Sequence, residues 1–385
     1  MLAYAATHSP YYREQQWAKM TRRGGTVDIR NIPTTAKSLV RSNTSQFYVA
    51  EVPASEGRVM VAMTSGSTGA PMEVRHTKRF QDISFAERQR LAAGWGLDRH
   101  ARVVKMHDPR PDRPRGAVVN RTAAKTIYDF YSADASEAFD FIARTKATLL
   151  HAPPRTVTAI LQHGEDIGVR LPLKLIATIS EVIPEQFRSL VNALPGCRWV
   201  DRYATIETKL IAVTCADCGA YHLADRHAVI EILDDRNRPV KPGKMGRVVV
   251  TPLFNLAMPL VRYETGDHAL VTATNTCRRS PFALERIVGR EGNLFKLPNG
   301  HRVIPWIDPR AAFDAGLRQF KLVQVSPVDI DFLYIPRDGA ADLTGDRAQE
   351  LIDKSMVTGF KVTPRKVAEM PLSASRKFLM HECLI

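Results

Sequence analysis

The chain has 385 residues, 44% hydrophobic and 24% charged, the composition of an ordinary globular protein rather than a disordered or fibrous one. Lysine and arginine outnumber aspartate and glutamate 54 to 40, a net charge of +14 that favours polyanionic partners. No apolar run approaches the roughly 18 residues of a membrane span, the first residues, "MLAYAATHSPYYREQQW", lack a signal-peptide pattern, and five cysteines argue against a disulfide framework, so a soluble cytoplasmic protein is expected.

In chain order, the apolar run "RVMVAM" (58–63) predicts a strand that gives way to "TSGSTG" (64–69). Thr64, Ser65, Gly66, Ser67, Thr68 and Gly69 offer little bulk to pack, and glycine loses extra backbone entropy on ordering. Two explanations stand at this point: a surface linker, or a loop that presents N–H groups and hydroxyls to an anion such as a polyphosphate. "TKRFQDISFAERQRLAAGWGLD" (77–98) predicts a helix closed by Gly94 or Gly96. "DPRPDRPRG" (108–116) is a proline-rich loop with arginines and aspartates, not a dense basic stripe with aromatics, so nucleic acid is not an expected partner.

"FDFIARTKATLLHAPP" (139–154) predicts a helix turning into a short strand halted by Pro153 and Pro154. "LKLIATIS" (173–180) predicts a strand, and "PEQFRSLVNALPG" (184–196) a helix after a proline start. This alternation implies an α/β layered architecture. After Ala220, "HAVIEILDD", "GRVVVTPL" and "MPLVRYETGDHALVTAT" are β-rich segments separated by turn signals. Further on, "LVQVSPVDIDFLYIP" predicts a hairpin about Ser326–Pro327, and "DRAQELIDKSMVTG" a helix capped by Asp346 and stopped by Gly359. The expected organisation is a large layered domain with a β-rich subdomain, residues 1–290, and a small α+β domain, residues 291–385.

Several polar motifs interrupt this pattern. "DRYATIETK" places Tyr203, Thr205 and Glu207 after a strand, and "VRYETGDHA" places Thr265, Gly266 and Asp267 at the end of another. "RIVGREGNLFKLPNG" supplies Arg286, Gly289, Arg290 and Lys296, and "PLSASRKF" presents Lys377. Taken in this order after "TSGSTG", and with "SPYYRE" and "IPTTAKSLV" near the start, the sequence resembles the adenylate-forming (acyl-CoA synthetase-like) superfamily, and within it the phenylacetate–CoA ligase branch.

The resemblance implies an enzyme that uses ATP to turn a carboxylic acid into an acyl-adenylate, releases pyrophosphate and passes the acyl group to coenzyme A. It implies that residues 64–69 hold the β- and γ-phosphates, Asp267 the ribose hydroxyls, and Glu207 magnesium. Thr205 would contact the α-phosphate, Tyr203 flank the adenine, and Arg290 reach the ribose or a phosphate. Lys377 would swing in with a mobile small domain, about a hinge at Arg290, Glu291 and Gly292. Met72 stands where many members carry lysine, Ala204 where glycine is usual, and Ile179, Ser180 and Glu181 where relatives carry a glycine pair before glutamate. Ile179 and Ser180 add bulk near the expected adenine and acyl pocket.

"TCADCGAYHL" contains Cys215, Cys218 and His222, and Cys277 follows in "TNTCRRS", so four N/S ligands are available for a closed tetrahedral zinc site. The alternative is separate buried thiols. An amine or a carrier-protein thiol is an alternative acyl acceptor, and the net charge suits coenzyme A and an acidic carrier protein equally. A nucleotide-binding scaffold that has lost catalysis is a third class, against which Glu207, Asp267, Arg290 and Lys377 weigh. His107, His151 and Arg155 are expected near the pocket, pointing to an aromatic or polar acid. A homodimer is compatible with the sequence.

Overall fold

A computed structural model describes all residues except 23–26, 65–71, 96–100, 108–115, 122–125, 133, 180–182, 184, 275–276, 279, 281, 291–294, 298–301, 304–306, 308, 338, 354–358 and 372–380. Along the chain come helices α1 (Leu2–His8), α2 (Pro10–Arg13), α3 (Gln16–Arg22) and α4 (Lys37–Ser42), then strands β1 (Val59–Met63) and β2 (Glu73–Thr77). Helix α5 (Lys78–Ala92) leads to β3 (Arg102–His107), β4 (Gly116–Arg121) and β5 (Thr126–Tyr131). Helix α6 (Ala135–Thr145), β6 (Leu149–Ala152), α7 (Pro154–Asp166), β7 (Leu175–Ile179) and α8 (Glu185–Asn192) alternate as expected.

There follow β8 (Arg198–Thr205), β9 (Lys209–Thr214), β10 (Tyr221–Leu223), β11 (Ala228–Leu233), β12 (Met245–Pro252), β13 (Tyr263–Val271) and β14 (Ala283–Arg290). The last elements are β15 (Phe295–Lys296), β16 (Arg302–Val303), α9 (Pro309–Asp314), β17 (Leu317–Gln324), β18 (Asp329–Pro336), α10 (Gly345–Asp353), β19 (Lys361–Lys366) and β20 (His381–Cys383). Among the described residues, no helix is long and apolar enough to cross a membrane.

The chain divides into two compact units, one of residues 1–101, 175–180 and 198–287, the other of residues 102–174, 181–197 and 288–385. In the first unit, β1 and β2 form an antiparallel hairpin with Met63 opposite Glu73, so residues 65–71 connect its two arms. The mixed sheet of this unit runs in the order β11-β12-β13-β14-β10-β9-β8-β7, with β7 parallel to β8 and the β8–β9 and β9–β10 pairs antiparallel. An N-terminal segment is stitched to β13: Thr35 N–H donates to the Arg262 carbonyl at 2.8 Å, and Glu264 N–H donates to the Thr35 carbonyl at 3.0 Å. One buried cluster joins Tyr12, Trp17, Ile32, Phe47, Met72 and Tyr263.

In the second unit, β3 lies parallel to β5 and β6, and β4 pairs antiparallel with β5. Asp134 caps α6 by accepting from the Ser136 and Glu137 amides at 2.9 and 3.1 Å. Pro154 opens α7 at a position where no N–H is required, so the proline pair both halts a strand and starts a helix. Gly164 lets α6 and α7 approach closely: a Cβ there would meet the Phe139 ring at 2.7 Å. Strands β17 to β20 form a sheet of order β19-β18-β17-β20, with the β17–β18 hairpin antiparallel and both outer pairs parallel. Its core includes Phe295, Leu322, Phe332, Leu351 and Phe360.

Two local expectations are corrected. Helix α10 starts at Gly345, and Thr344 rather than Asp346 provides the capping oxygen, accepting from the Arg347 amide at 3.3 Å. Thr265, Gly266 and Asp267 do not end a strand. They interrupt β13, where the register against β12 slips between Arg247 and Val249. Gly266 takes φ +82° there, a conformation side-chain-bearing residues rarely adopt.

Among the described residues the largest fully buried side chain is Arg262. Its guanidinium pairs with Glu231 at 2.9 Å and donates to the carbonyls of Arg30 and Ile32. Removing one partner of a buried pair strands the other charge at a cost of about 3–5 kcal/mol. Arg262→Ala is therefore expected to lower the stability of the first unit by about that much in urea denaturation. Arg262→Met combined with Glu231→Leu should recover much of the loss, and an Arg262→Ala loss below about 1 kcal/mol would contradict the role given to the pair.

Candidate functional site

Four of the residues singled out in the sequence converge on one side of the first unit. Tyr203 and Thr205 lie at the end of β8, Glu207 in the tight turn to β9, and Asp267 in the β13 interruption. The Tyr203 hydroxyl donates to Asp267 Oδ2 at 2.8 Å, and Asp267 N–H donates to Thr265 Oγ1 at 3.1 Å. Thr265 Oγ1 in turn donates to the Val248 carbonyl at 3.0 Å, which fixes the displaced backbone against β12. Burial, then the Asp267 charge, push the Tyr203 phenol well above its ordinary range, so it remains a donor.

Glu207 is almost wholly buried and carries a charge, which requires a partner. Lys37 Nζ supplies it at 2.7 Å from Oε1, and the Tyr263 hydroxyl donates to the same oxygen at 2.9 Å. Burial pushes the Glu207 carboxyl up, but the Lys37 charge and hydrogen bond, a backbone amide and Tyr263 outweigh it and hold the group below the ordinary carboxylate range. The Lys37 side chain also lies over Gly266, where an added Cβ would stand 3.9 Å from Lys37 Cδ. The ammonium thus sits between the β8–β9 turn and the β13 interruption.

Sequence reasoning misses Lys37. It occupies the first turn of α4, where a cation opposes the helix dipole, and that misfit is the local signal of an outside partner. Met72, at the position where many superfamily members carry lysine, is buried among Val74, Met258 and Leu260.

Thr205 Oγ1 lies 2.9 Å from Thr208 Oγ1 and accepts from the Thr208 amide at 3.1 Å. Thr64 closes the neck of the hydroxyl-rich loop: its N–H donates to the Met72 carbonyl at 3.0 Å, and Met72 N–H donates to Thr64 Oγ1 at 2.9 Å. Ser65, Gly66, Ser67, Thr68, Gly69, Ser180, Glu181, Glu291, Gly292 and Lys377 lie outside the described residues, as does the side chain of Arg290. In the second unit, His107 Nε2 lies 2.9 Å from Asp129 Oδ1, and its ring stacks on Tyr131.

A second cluster stands at the β9–β10 turn. The ligand atoms of Cys215, Cys218, His222 and Cys277 all lie within 4.8 Å of one another. Cys215 Sγ is 3.9 Å from Cys277 Sγ, and Cys218 Sγ is 3.5 Å from His222 Nε2. Three thiols and an imidazole converging on one point are a donor set able to hold a metal ion.

No protein-family model matches the chain. It is 26% identical over 318 residues to the phenylacetate-coenzyme A ligase of Thermus thermophilus, covering 76% of this chain and 68% of the relative. To the phenylacetate-coenzyme A ligase of Aromatoleum evansii it is 25% identical over 306 residues, with the same coverages. Its fold matches the crystal structure of 2-hydroxyisobutyryl-CoA ligase in the postadenylation state with a TM-score of 0.75 at 16% identity, covering 97% of this chain and 86% of that one. The fold is that of the adenylate-forming ligases. The chain is thus similar in sequence to two ligases that form coenzyme A thioesters by name, and in fold to an adenylate-forming enzyme.

The Glu207–Lys37 pair gives a pH test. A carboxyl whose folded pKa lies below its unfolded value of about 4.3 contributes stability above that value and loses it as pH falls through the folded pKa. Lys37→Met leaves burial to dominate and moves the carboxyl upward. The variant is expected to be less stable than the parent at pH 7, with the gap closing toward pH 4 as Glu207 takes up a proton. Urea melts at the two pH values decide it, and an equal gap at both would show that Lys37 does not act through Glu207.

Proposed function

We propose that the enzyme joins a small carboxylic acid to AMP, with release of pyrophosphate, and then transfers the acyl group to coenzyme A. The observation that carries this is the convergence of Tyr203–Asp267 and Lys37–Glu207 about the β13 interruption, in the unit that also holds the neck of the hydroxyl-rich loop. The family relatives support it: 2-hydroxyisobutyryl-CoA ligase has been solved with an acyl-AMP, and also with an acyl-AMP and CoA.

In the proposed reaction a carboxylate oxygen attacks the α-phosphorus of ATP, and the bond to the bridging oxygen breaks. Both reactants are anionic, so positioned positive charge and hydrogen-bond donors lower the barrier. Asp267, oriented by Tyr203 and Thr265, would accept from the ribose hydroxyls. Tyr203 would flank the adenine and Thr205 meet the α-phosphate. Thr64 to Gly69 would wrap the outer phosphates, their small side chains leaving room for backbone approach. Ser180 and Glu181 would border the nucleotide, and Arg290 would reach its ribose or a phosphate. Residues 291–385 would act as the small domain that brings Lys377 to the α-phosphate, with residues 1–290 as the adenylation core.

Glu207, kept ionised by Lys37, is a hard oxygen donor suited to magnesium, which supplies charge neutralisation of the phosphates when bound. The test is pyrophosphate exchange across a panel of carboxylic acids, followed by thioester detection with coenzyme A. Exchange is expected with at least one acid, and Lys377→Ala should reduce it by about 100-fold or more while ATP still binds. Undiminished exchange would remove Lys377 from the mechanism, and adenylation without thioester would move the acceptor to an amine or a carrier thiol.

Cys215, Cys218, His222 and Cys277 would hold structural zinc. Zinc at about 2.3 Å from sulfur and about 2.0 Å from nitrogen sets tetrahedral edges of about 3.8 Å between sulfurs and about 3.5 Å between sulfur and nitrogen. The observed 3.9 and 3.5 Å fit those edges. Four protein ligands leave no open position, so the ion would hold the β9–β10 turn to the segment carrying Cys277. Protein purified without added zinc is expected to contain about one ion per chain, and Cys277→Ser should release it and lower the melting temperature. Metal-free protein of full stability would restore the alternative of separate thiols.

A further inference from the structure

The first unit contains a cavity of about 360 Å³ between α5 and the β8–β9 strands. That is near the lower end of small-molecule sites, which run from about 300 to 1,000 Å³. Thr205 and Ala204 form part of its wall, so it adjoins the group just described, and Ile179 lines it too. Its other notable feature is charge. Arg88, Arg202 and Lys209 all line it, and among the described residues the one carboxylate in the lining, Asp82, is already paired with Lys78.

The three cations come from separate segments by ordinary rules of local structure. Arg88 lies one helical turn beyond Phe85 on α5 and rests over its ring, 4.7 Å from guanidinium carbon to centroid. Arg202 and Ala204 alternate with Tyr203 on β8 and so share a face. Lys209 opens β9 with φ +63°, a strained backbone conformation for a side-chain-bearing residue.

All three cations are half-buried. Among the described residues neither Arg88 nor Lys209 forms a salt bridge, although Lys209 senses the charge of Glu207. Burial, then the charge of Arg88, press the Arg202 guanidinium down to about 10, and burial lowers both Arg88 and Lys209. Asp201 beside Arg202 and Glu207 near Lys209 offset this only in part, so gathering these like charges in a half-buried cavity favours an entering anion. The carboxylate that is activated gives up its charge on becoming an acyl-adenylate, so it cannot remain the counter-ion through the reaction.

We propose that this cavity receives the acyl part of the substrate, and that the substrate is a small acid with a second anionic group held by Arg88, Arg202 and Lys209. This rests on the ligase function proposed above and adds the substrate class. A second carboxylate or a sulfonate shares the required chemistry. A hydrogen bond to a charged group discriminates by about ten- to a hundredfold.

Pyrophosphate exchange with matched acids tests it: butyrate with succinate, benzoate with isophthalate, and propionate with sulfopropionate. The doubly charged member of a pair is expected to exceed its partner in kcat/KM by about ten- to a hundredfold. The first two pairs probe carboxylate and the third sulfonate. Arg88→Met and Lys209→Met should each erase most of that preference, leave the KM for ATP unchanged and raise the relative use of the singly charged acid. Arg88→Lys should retain part of it. Arg202→Met, closer to the core, is checked by circular dichroism before its ratio is read.

Exchange supported by singly charged acids alone, or a preference unaltered in both Arg88→Met and Lys209→Met, overturns the anionic-substrate proposal and leaves the ligase function standing. Absence of exchange with every acid, in protein that binds ATP, overturns the ligase function and this proposal with it.

Discussion

A carboxylate sealed from water dictates the shape of the candidate site. Glu207 cannot stay ionised in the turn after β8 unless a cation reaches it, and the cation comes from the far end of the chain, at Lys37. Holding Lys37 there requires the N-terminal segment to lie along β13. The Thr35 ladder bonds and the Arg262 contacts with the Arg30 and Ile32 carbonyls hold it in place. A local electrostatic requirement thus ties α4 and the segment just before it to a sheet built mostly from residue 198 onward. Removing that segment would remove the counter-charge as well as apolar burial.

The same unit treats charge in two opposite ways. Glu207 and Asp267 are both held in hydrogen-bonded networks, through Lys37, Tyr263, Tyr203 and Thr265. A short distance along β8 and β9, Arg88, Arg202 and Lys209 are gathered around a cavity where, among the described residues, the single lining carboxylate is already committed to Lys78. A satisfied network is rigid and suits orientation, whereas a concentration of one charge sign suits the capture of something that arrives from solution.

Much of this is legible in the sequence where the cause is local. The helix at α5, the strand at β7 and the β17–β18 hairpin follow from periodicity and turn chemistry, and the structure has them where expected. The C-x2-C-x3-H spacing points to a cluster that the fold brings together with a distant cysteine. Local signals mislead where two devices share a residue. Pro154 reads as a stop although it also begins α7, and Gly266 reads as a strand end although Thr265 bonds across to Val248 and lets the strand resume. Lys37 with Glu207, and Arg88 with Arg202 and Lys209, stay hidden because their members lie on separate segments and carry charges that read individually as solvated surface.

The bond from Thr35 to the Val261 carbonyl spans 226 positions of sequence, and it carries a consequence for synthesis. At about 5–20 residues per second, roughly ten to fifty seconds separate the emergence of the two partners from a ribosome. During that interval Tyr12, Trp17, Ile32 and Phe47 have no Tyr263 or Met258 to close over them. The nascent N-terminal segment is therefore an exposed apolar surface awaiting its sheet, a natural client for a chaperone, and the Lys37 counter-charge is made long before the buried carboxylate it serves.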